Sequence, residues 1–158
     1  MNFINTENFI KCTLLLSFVV LTSVYVMEFV FLILPCKLCL LQRYPYFLIL
    51  IISLCYVSFK LKQYEKLVLV LIIICFLVVL SLSLYHSLIE LNLIDNALNC
   101  ASSGEFENFA EMHKSIIGKA AVSCDMATYK IMKLSLSNWN IIVSLIMLTL
   151  ASFSFLRK

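Results

Sequence analysis

Four apolar runs divide the chain, and polar residues collect between them. They cover about 12–33, 40–59, 67–85 and 139–156. Each is 18–22 residues long, close to the ~20 helical residues that cross ~30 Å of hydrocarbon. Pro35 predicts a break between the first two runs. A polar turn at 60–66 carries three lysines, and a longer polar segment occupies 87–137. The pattern predicts an all-α membrane protein, a four-transmembrane-helix bundle over 1–158 as a single domain. Its outer loops are expected at about 34–39 and 87–137. Within the long loop, Ser102 and Glu105 fit a capping box. Phe106, Phe109, Ala110, His113 and Ile117 follow at helical spacing, and Gly118 is a reasonable stop. A second candidate helix has Asp125 as N-cap and runs to Leu134, with Met126, Tyr129 and Met132 on one side. Such a short amphipathic helix lies on the membrane surface or packs on the rest of the loop.

Composition agrees with the pattern. The chain is 63% hydrophobic and 13% charged, with two Gly and two Pro. A soluble domain of 158 residues would leave too much of that apolar surface in water. The first run has only Lys11 before it, is longer than a signal-peptide core and lacks a small-residue cleavage site. It is therefore expected to be a retained span. The net charge is +3, and no basic cluster is large enough to suggest a nucleic-acid partner.

The placement of charge says more than its sum. Lys11, Lys60, Lys62, Lys66, Arg157 and Lys158 fall on one side of a four-span protein. The positive-inside rule then puts both termini in the cytoplasm. The 34–39 loop and the long loop share the outer face, which in a bacterium is the oxidising one.

Candidate chemistry gathers on that face. Residues 35–43 read PCKLCLLQR, with Cys36 and Cys39 at CxxC spacing. If the helix begins near Leu38, Cys36, Cys39 and Arg43 form one stripe at i, i+3 and i+7. The free N–H groups of a first helical turn favour a thiolate there. Arg43 is costly inside a membrane. It either snorkels to the interface or stabilises a thiolate or a reduced acceptor, with Gln42 as a hydrogen-bond donor in the same place.

Of the other five cysteines, Cys12, Cys55 and Cys75 fall inside apolar runs and read as small buried hydrophobes. Cys100 and Cys124, with 23 residues between them in the long loop, could form a structural staple or a reactive shuttle. As a staple, a loop of that length adds about 3.5 kcal/mol in the chain-entropy model. His86 and Glu90, at i and i+4, sit at the height of the CxxC. They could relay protons or serve as polar anchors beside Tyr85. Asn138, Trp139 and Asn140 read as interface residues. A zinc site would need two ligands beyond the CxxC; His86, His113, Cys100 and Cys124 are available, but without a second CxxC no metal is expected.

PCKLCLLQR followed by Tyr44 and Pro45, YHSLIE at 85–90, SCD at 123–125 and KLSLSNWN at 133–140 together resemble the DsbB family of disulfide bond formation proteins. The resemblance covers most of 30–140 in order. It implies a quinone-dependent thiol oxidase of the bacterial inner membrane, with a short horizontal helix in the second periplasmic loop, which the 125–134 segment fits. A DsbA-like periplasmic thioredoxin-fold partner would attack a Cys100–Cys124 disulfide through Cys100. Cys124 would exchange with Cys36, and Cys39 would face ubiquinone or menaquinone from the membrane quinone pool. Arg43 would hold the quinone and stabilise its contact with a Cys39 thiolate, with Gln42 and His86 beside it. The chain departs from expectation at 29–34, which lacks glycines, and at Lys37, which puts a charge between the cysteines. A membrane metal-binding or redox-sensor module using the four outer cysteines is the alternative.

Overall fold

The computed structural model describes residues 5–32, 35–91, 93–94, 130–131 and 134–156. Among them are four long helices: α1 (Thr6–Phe29), α2 (Lys37–Ser58), α3 (Glu65–Glu90) and α4 (Leu136–Leu156). All four are long and apolar enough to cross a membrane. They form the expected bundle, with α2 and α3 packed on each other, α1 against α2, and α4 against α3. A 3₁₀ turn (Lys62–Tyr64) leads into α3.

The core between them combines large apolar and small polar side chains. Tyr46, Ile49, Ile72, Phe76, Val79, Met147 and Ala151 are buried, and the Tyr46 and Phe76 rings meet edge to face. Thr13, Ser17, Ser53, Ser83, Ser144 and Ser154 are buried among them. Small side chains let membrane helices approach closely, and hydroxyls can bond across the gap. Thr13 and Ser53 do so between α1 and α2 at 3.3 Å. Outward-facing Leu15, Phe18, Leu48, Ile51, Leu54 and Leu77 leave the bundle's exterior apolar, the surface a bilayer covers.

The helices overrun the apolar runs because their polar ends are bonded. α1 starts at Thr6, six residues before the run, where Glu7 pairs with Lys11 and Ser154 donates to the Thr6 hydroxyl. α3 continues to Glu90, past the expected end at 85. Its last turn is tied to α4: Ser87 donates to the Asn138 Oδ1 at 2.9 Å, and Ser137 donates to the Glu90 Oε2 at 2.9 Å. α1 ends at Phe29, well before Pro35, because Leu32 takes a left-handed backbone (φ 54°). The glycine missing from this stretch would have suited that position. A non-Gly residue there costs roughly 1–2 kcal/mol.

Two expectations change. The surface helix over 125–134 does not reach its expected end: Lys130–Ile131 pairs antiparallel with Leu134–Ser135. The reason lies one residue on. Ser135 caps α4, its Oγ accepting the Asn138 N–H, and an N-cap residue requires extended backbone. The remainder of that segment, the Ser102–Gly118 helix, His113, Cys100 and Cys124 lie outside the described residues. Cys12 and Cys55, expected in the protein core, face outward, and only Cys75 packs partly against it. Lipid supplies the apolar surroundings that their sequence context implied.

Candidate functional site at the cysteine end of the bundle

The start of α2 builds the site. Cys36 is the N-cap residue, with extended backbone (ψ 167°), and its Sγ accepts the Cys39 backbone N–H at 3.2 Å. A sulfur thus takes the place usually held by a serine or aspartate oxygen. Wherever the Cys36 sulfur is anionic, the helix N-terminus stabilises it. The Cys39 sulfur lies 2.9 Å away, on the first turn. Cys36 is buried, while Cys39 is half-buried.

α3 closes the other side. His86 is buried and puts its Nε2 3.7 Å from the Cys36 sulfur and 3.6 Å from the Glu90 Oε1. The hydrogen bond with Cys39 is the main influence on Cys36. It outweighs the opposing effect of burial and, with His86 adding to it, holds the Cys36 thiol far below its ordinary range, at about 4. The donors of this reduced pair therefore converge on Cys36, whereas the family resemblance puts the thiolate on Cys39. The two sulfurs are close enough to share one proton, so the pair titrates as a unit.

A directed chain of amides fixes the imidazole. The Tyr46 hydroxyl donates to the Asn140 Oδ1 at 3.1 Å, and the Asn140 Nδ2 donates to the Gln42 Oε1 at 2.8 Å. That leaves the Gln42 Nε2 facing the His86 Nδ1 at 3.5 Å. An amide N–H directed at Nδ1 makes it the acceptor, so in neutral His86 the proton sits on Nε2, toward Cys36 and Glu90. The chain joins α2, α3 and α4.

Gln42 and Arg43 are neighbours in sequence yet serve different sides of α2, as a rotation of about 100° per residue requires. Gln42 is buried toward α3 and α4. Arg43 turns to α1, where its guanidinium pairs with Glu28 and lies 5.1 Å above the Tyr25 ring. Tyr25 also stacks on Phe29. The structure therefore brings Cys36, Cys39, Gln42 and His86 into one cluster, with Arg43 on its α1 flank.

A sequence profile described as "Disulfide bond formation protein DsbB" matches residues 7–154. The chain belongs to the DsbB family. It is also similar to a curated Rickettsia prowazekii (strain Madrid E) protein described as "Uncharacterized protein RP370". The two are 27% identical over 153 residues, which cover 93% of this chain and 88% of that protein. DsbB-family membership makes this multi-pass membrane protein an oxidoreductase acting on thiols, in disulfide bond formation.

Several residues of the site were not given a role by sequence reasoning. In the sequence Glu28 only interrupts the first apolar run. A carboxylate and a guanidinium, each costly in lipid and both near one end of adjacent spans, were the signal for a pair. Asn140 read as an interface residue. Its place near the start of an apolar helix, two residues after Asn138, was the available clue. Tyr46 carried no signal beyond its aromatic character.

Proposed function

We propose that this chain reoxidises a periplasmic, DsbA-like dithiol and delivers the electrons to membrane quinone. The observation that carries the reading is the cluster itself. Two adjacent sulfurs sit at the start of a helix at the bundle's end, next to a buried histidine, with a guanidinium one turn further along α2.

Both termini are assigned to the cytoplasm and the cysteine loops to the periplasm, which matches the lysine distribution. The partner dithiol attacks the Cys100–Cys124 disulfide, and Cys100 forms the mixed disulfide. The partner's second sulfur then displaces Cys100, which leaves with the partner oxidised and the 100/124 pair reduced. Exchange between Cys124 and Cys36 passes the two electrons to the Cys36/Cys39 pair and restores the outer disulfide.

When bound, a quinone supplies a two-electron, two-proton acceptor. The residues present fit such a group. Half-buried Cys39 and Arg43 lie on the same side of α2, beside the outward-facing Leu40 and Tyr44 and the stacked Tyr25 and Phe29. An aromatic, apolar surface with one cation suits a planar, lipid-soluble ring. Glu28 neutralises Arg43 in the absence of the ring, so the guanidinium can stay in place without water.

Re-forming the Cys36–Cys39 bond releases two electrons and two protons. The thiolate bias of Cys36 leaves the Cys39 proton to remove; with the Gln42 and Asn140 amides turned over, His86 holds its own proton on Nδ1 and its Nε2 is free to take it. Glu90, 3.6 Å from the His86 Nε2, accepts from Ser137, and Ser137 is 2.7 Å from Ser135, so a line of polar groups runs from His86 to the start of α4. The test is anaerobic mixing of purified protein with a reduced thioredoxin-fold partner and a ubiquinone analogue, following quinone absorbance. Stoichiometric loss of quinone is expected, and none in Cys39→Ser. Quinone loss at the parent rate in that variant would end the reading.

A further inference from the structure

The cysteine–histidine cluster has a second capacity. The Cys36 and Cys39 sulfurs and a ring nitrogen of His86 all lie within 4.8 Å of one another. The Glu90 Oε1, 3.6 Å from the His86 Nε2, is a fourth donor on the same side. Two sulfurs, one imidazole nitrogen and one carboxylate oxygen make a complete tetrahedral set for a thiophilic divalent cation. Bond lengths of about 2.3 Å to sulfur and about 2.0 Å to nitrogen imply tetrahedral edges of about 3.7 Å between sulfurs and about 3.5 Å from sulfur to nitrogen. The Cys36–His86 separation of 3.7 Å already fits. The sulfurs, at 2.9 Å, need to part by a further ~0.8 Å, a small side-chain rotation for Cys39 on an open first turn.

The surroundings fit as well. A metal-bound imidazole normally gives its other N–H to an acceptor. If the Gln42 and Asn140 amides both turn over, the His86 Nδ1–H meets the Gln42 Oε1 and the Gln42 Nε2 meets the Asn140 Oδ1. The Asn140 Nδ2 then meets the Tyr46 oxygen. A hydroxyl ends the chain, and a hydroxyl accepts as readily as it donates. The same heavy atoms therefore serve either polarity. Two thiolates and a carboxylate around a dication leave one net negative charge.

We propose that the reduced Cys36–Cys39 pair, with His86 and Glu90, binds a divalent cation of the zinc type, and that occupancy halts thiol oxidation. This rests on the oxidase reading above, because the metal acts as a brake only if the pair turns over. Binding is not a redox event. The thiols lose their protons to solvent, two sulfur–metal bonds form, and no electron moves. The disulfide form offers no thiolates and does not bind.

The test uses full-length protein in detergent with Cys100→Ser and Cys124→Ser, so that the outer pair cannot contribute ligands. Reduced anaerobically and titrated with Co²⁺, it should give a thiolate-to-cobalt charge-transfer band at one equivalent, erased by Zn²⁺. The oxidised protein should give none. His86→Ala should weaken binding at least tenfold. So should His86→Gln, which keeps hydrogen-bonding groups in the cavity. A reduced protein without the band, an oxidised protein with it, or undiminished affinity in both His86 variants overturns the proposal. Turnover of the parent chain separates the two readings. Chelator-treated enzyme that turns over and ignores Zn²⁺ sinks the brake alone. Enzyme that binds cobalt but never turns over sinks the oxidase.

Discussion

The two ends of the bundle both join helices through charged side chains, and they do so in different surroundings. At the end where the chain enters α1, Glu7 meets Lys11 within α1 and Lys62 at the start of the 3₁₀ turn. Those side chains are 31–73% exposed, and water and salt screen such pairs almost completely. At the cysteine end, the Arg43–Glu28 pair and the His86–Glu90 contact involve side chains only 6–21% exposed. The residue types are similar, but burial makes the second set expensive to leave unpaired and sensitive to a single proton. Charges that only hold a protein in place can sit in water; these sit where burial magnifies them, beside two sulfurs.

The largest effect tests whether the cysteine end is chemical at all. Cys39→Ser or Cys36→Ser should lower thiol:quinone turnover at least a thousandfold, because no disulfide can form, while helical content stays at the parent level. A single-turnover assay with reduced partner measures it. Turnover within tenfold of the parent would place both ends of the bundle in the same structural role.

Next comes the half-buried pair. Glu28→Gln leaves Arg43 without its counter-charge; breaking a fully buried pair from one side costs about 3–5 kcal/mol, which bounds the loss here from above. The denaturation midpoint in detergent should fall clearly. Replacing both residues by leucine should recover much of that loss, yet quinone reduction should stay impaired. A double variant with full activity would reduce Arg43 to a packing residue.

The histidine and its amide chain give a pH signature. Hydrogen bonding to Cys39 depresses the Cys36 acid, so in the reduced protein its thiolate persists as pH falls from 8 and disappears only through about 4. Thiolate ultraviolet absorbance follows this directly. His86→Ala should move the transition upward and slow turnover by about a hundredfold, the lower range for a lost general base. Asn140→Leu should act in the same direction and less strongly, by releasing Gln42 and with it the fixed tautomer of His86. An unchanged titration in both variants would show that the chain packs helices without tuning sulfur.

How much of this could be read beforehand differs between elements for physical reasons. The four spans were legible because crossing a bilayer demands length and apolarity, which composition shows directly. Their ends were not. Glu90 and Ser137 extend α3 and α4 through bonds between residues 47 positions apart, and no local window contains such a pair. CxxC, His86 and Arg43 stood out as costly or reactive residues at matching heights. That Gln42 turns inward while Arg43 turns to α1 depends on which helices flank α2. The left-handed Leu32 was invisible because sequence suggests such positions through glycine.

The smallest effect sharpens the contrast from the other end. Glu7→Gln removes both of its ion pairs, with Lys11 and Lys62. The lysines it releases are already exposed, so neither is stranded without solvent. The denaturation midpoint and the turnover rate should both stay within error of the parent at physiological salt. At low salt, where the Debye length stretches to about 30 Å, a slight loss of stability should emerge and then vanish as salt is added. Glu28→Gln should lose stability at every salt concentration, since a half-buried pair is screened far less than an exposed one. Parallel salt titrations of the two variants therefore read burial directly. If the Glu28 variant followed the salt dependence of the Glu7 variant, water would have to reach Arg43, and a dry flank for a lipid-soluble acceptor beside Cys39 would be lost with it.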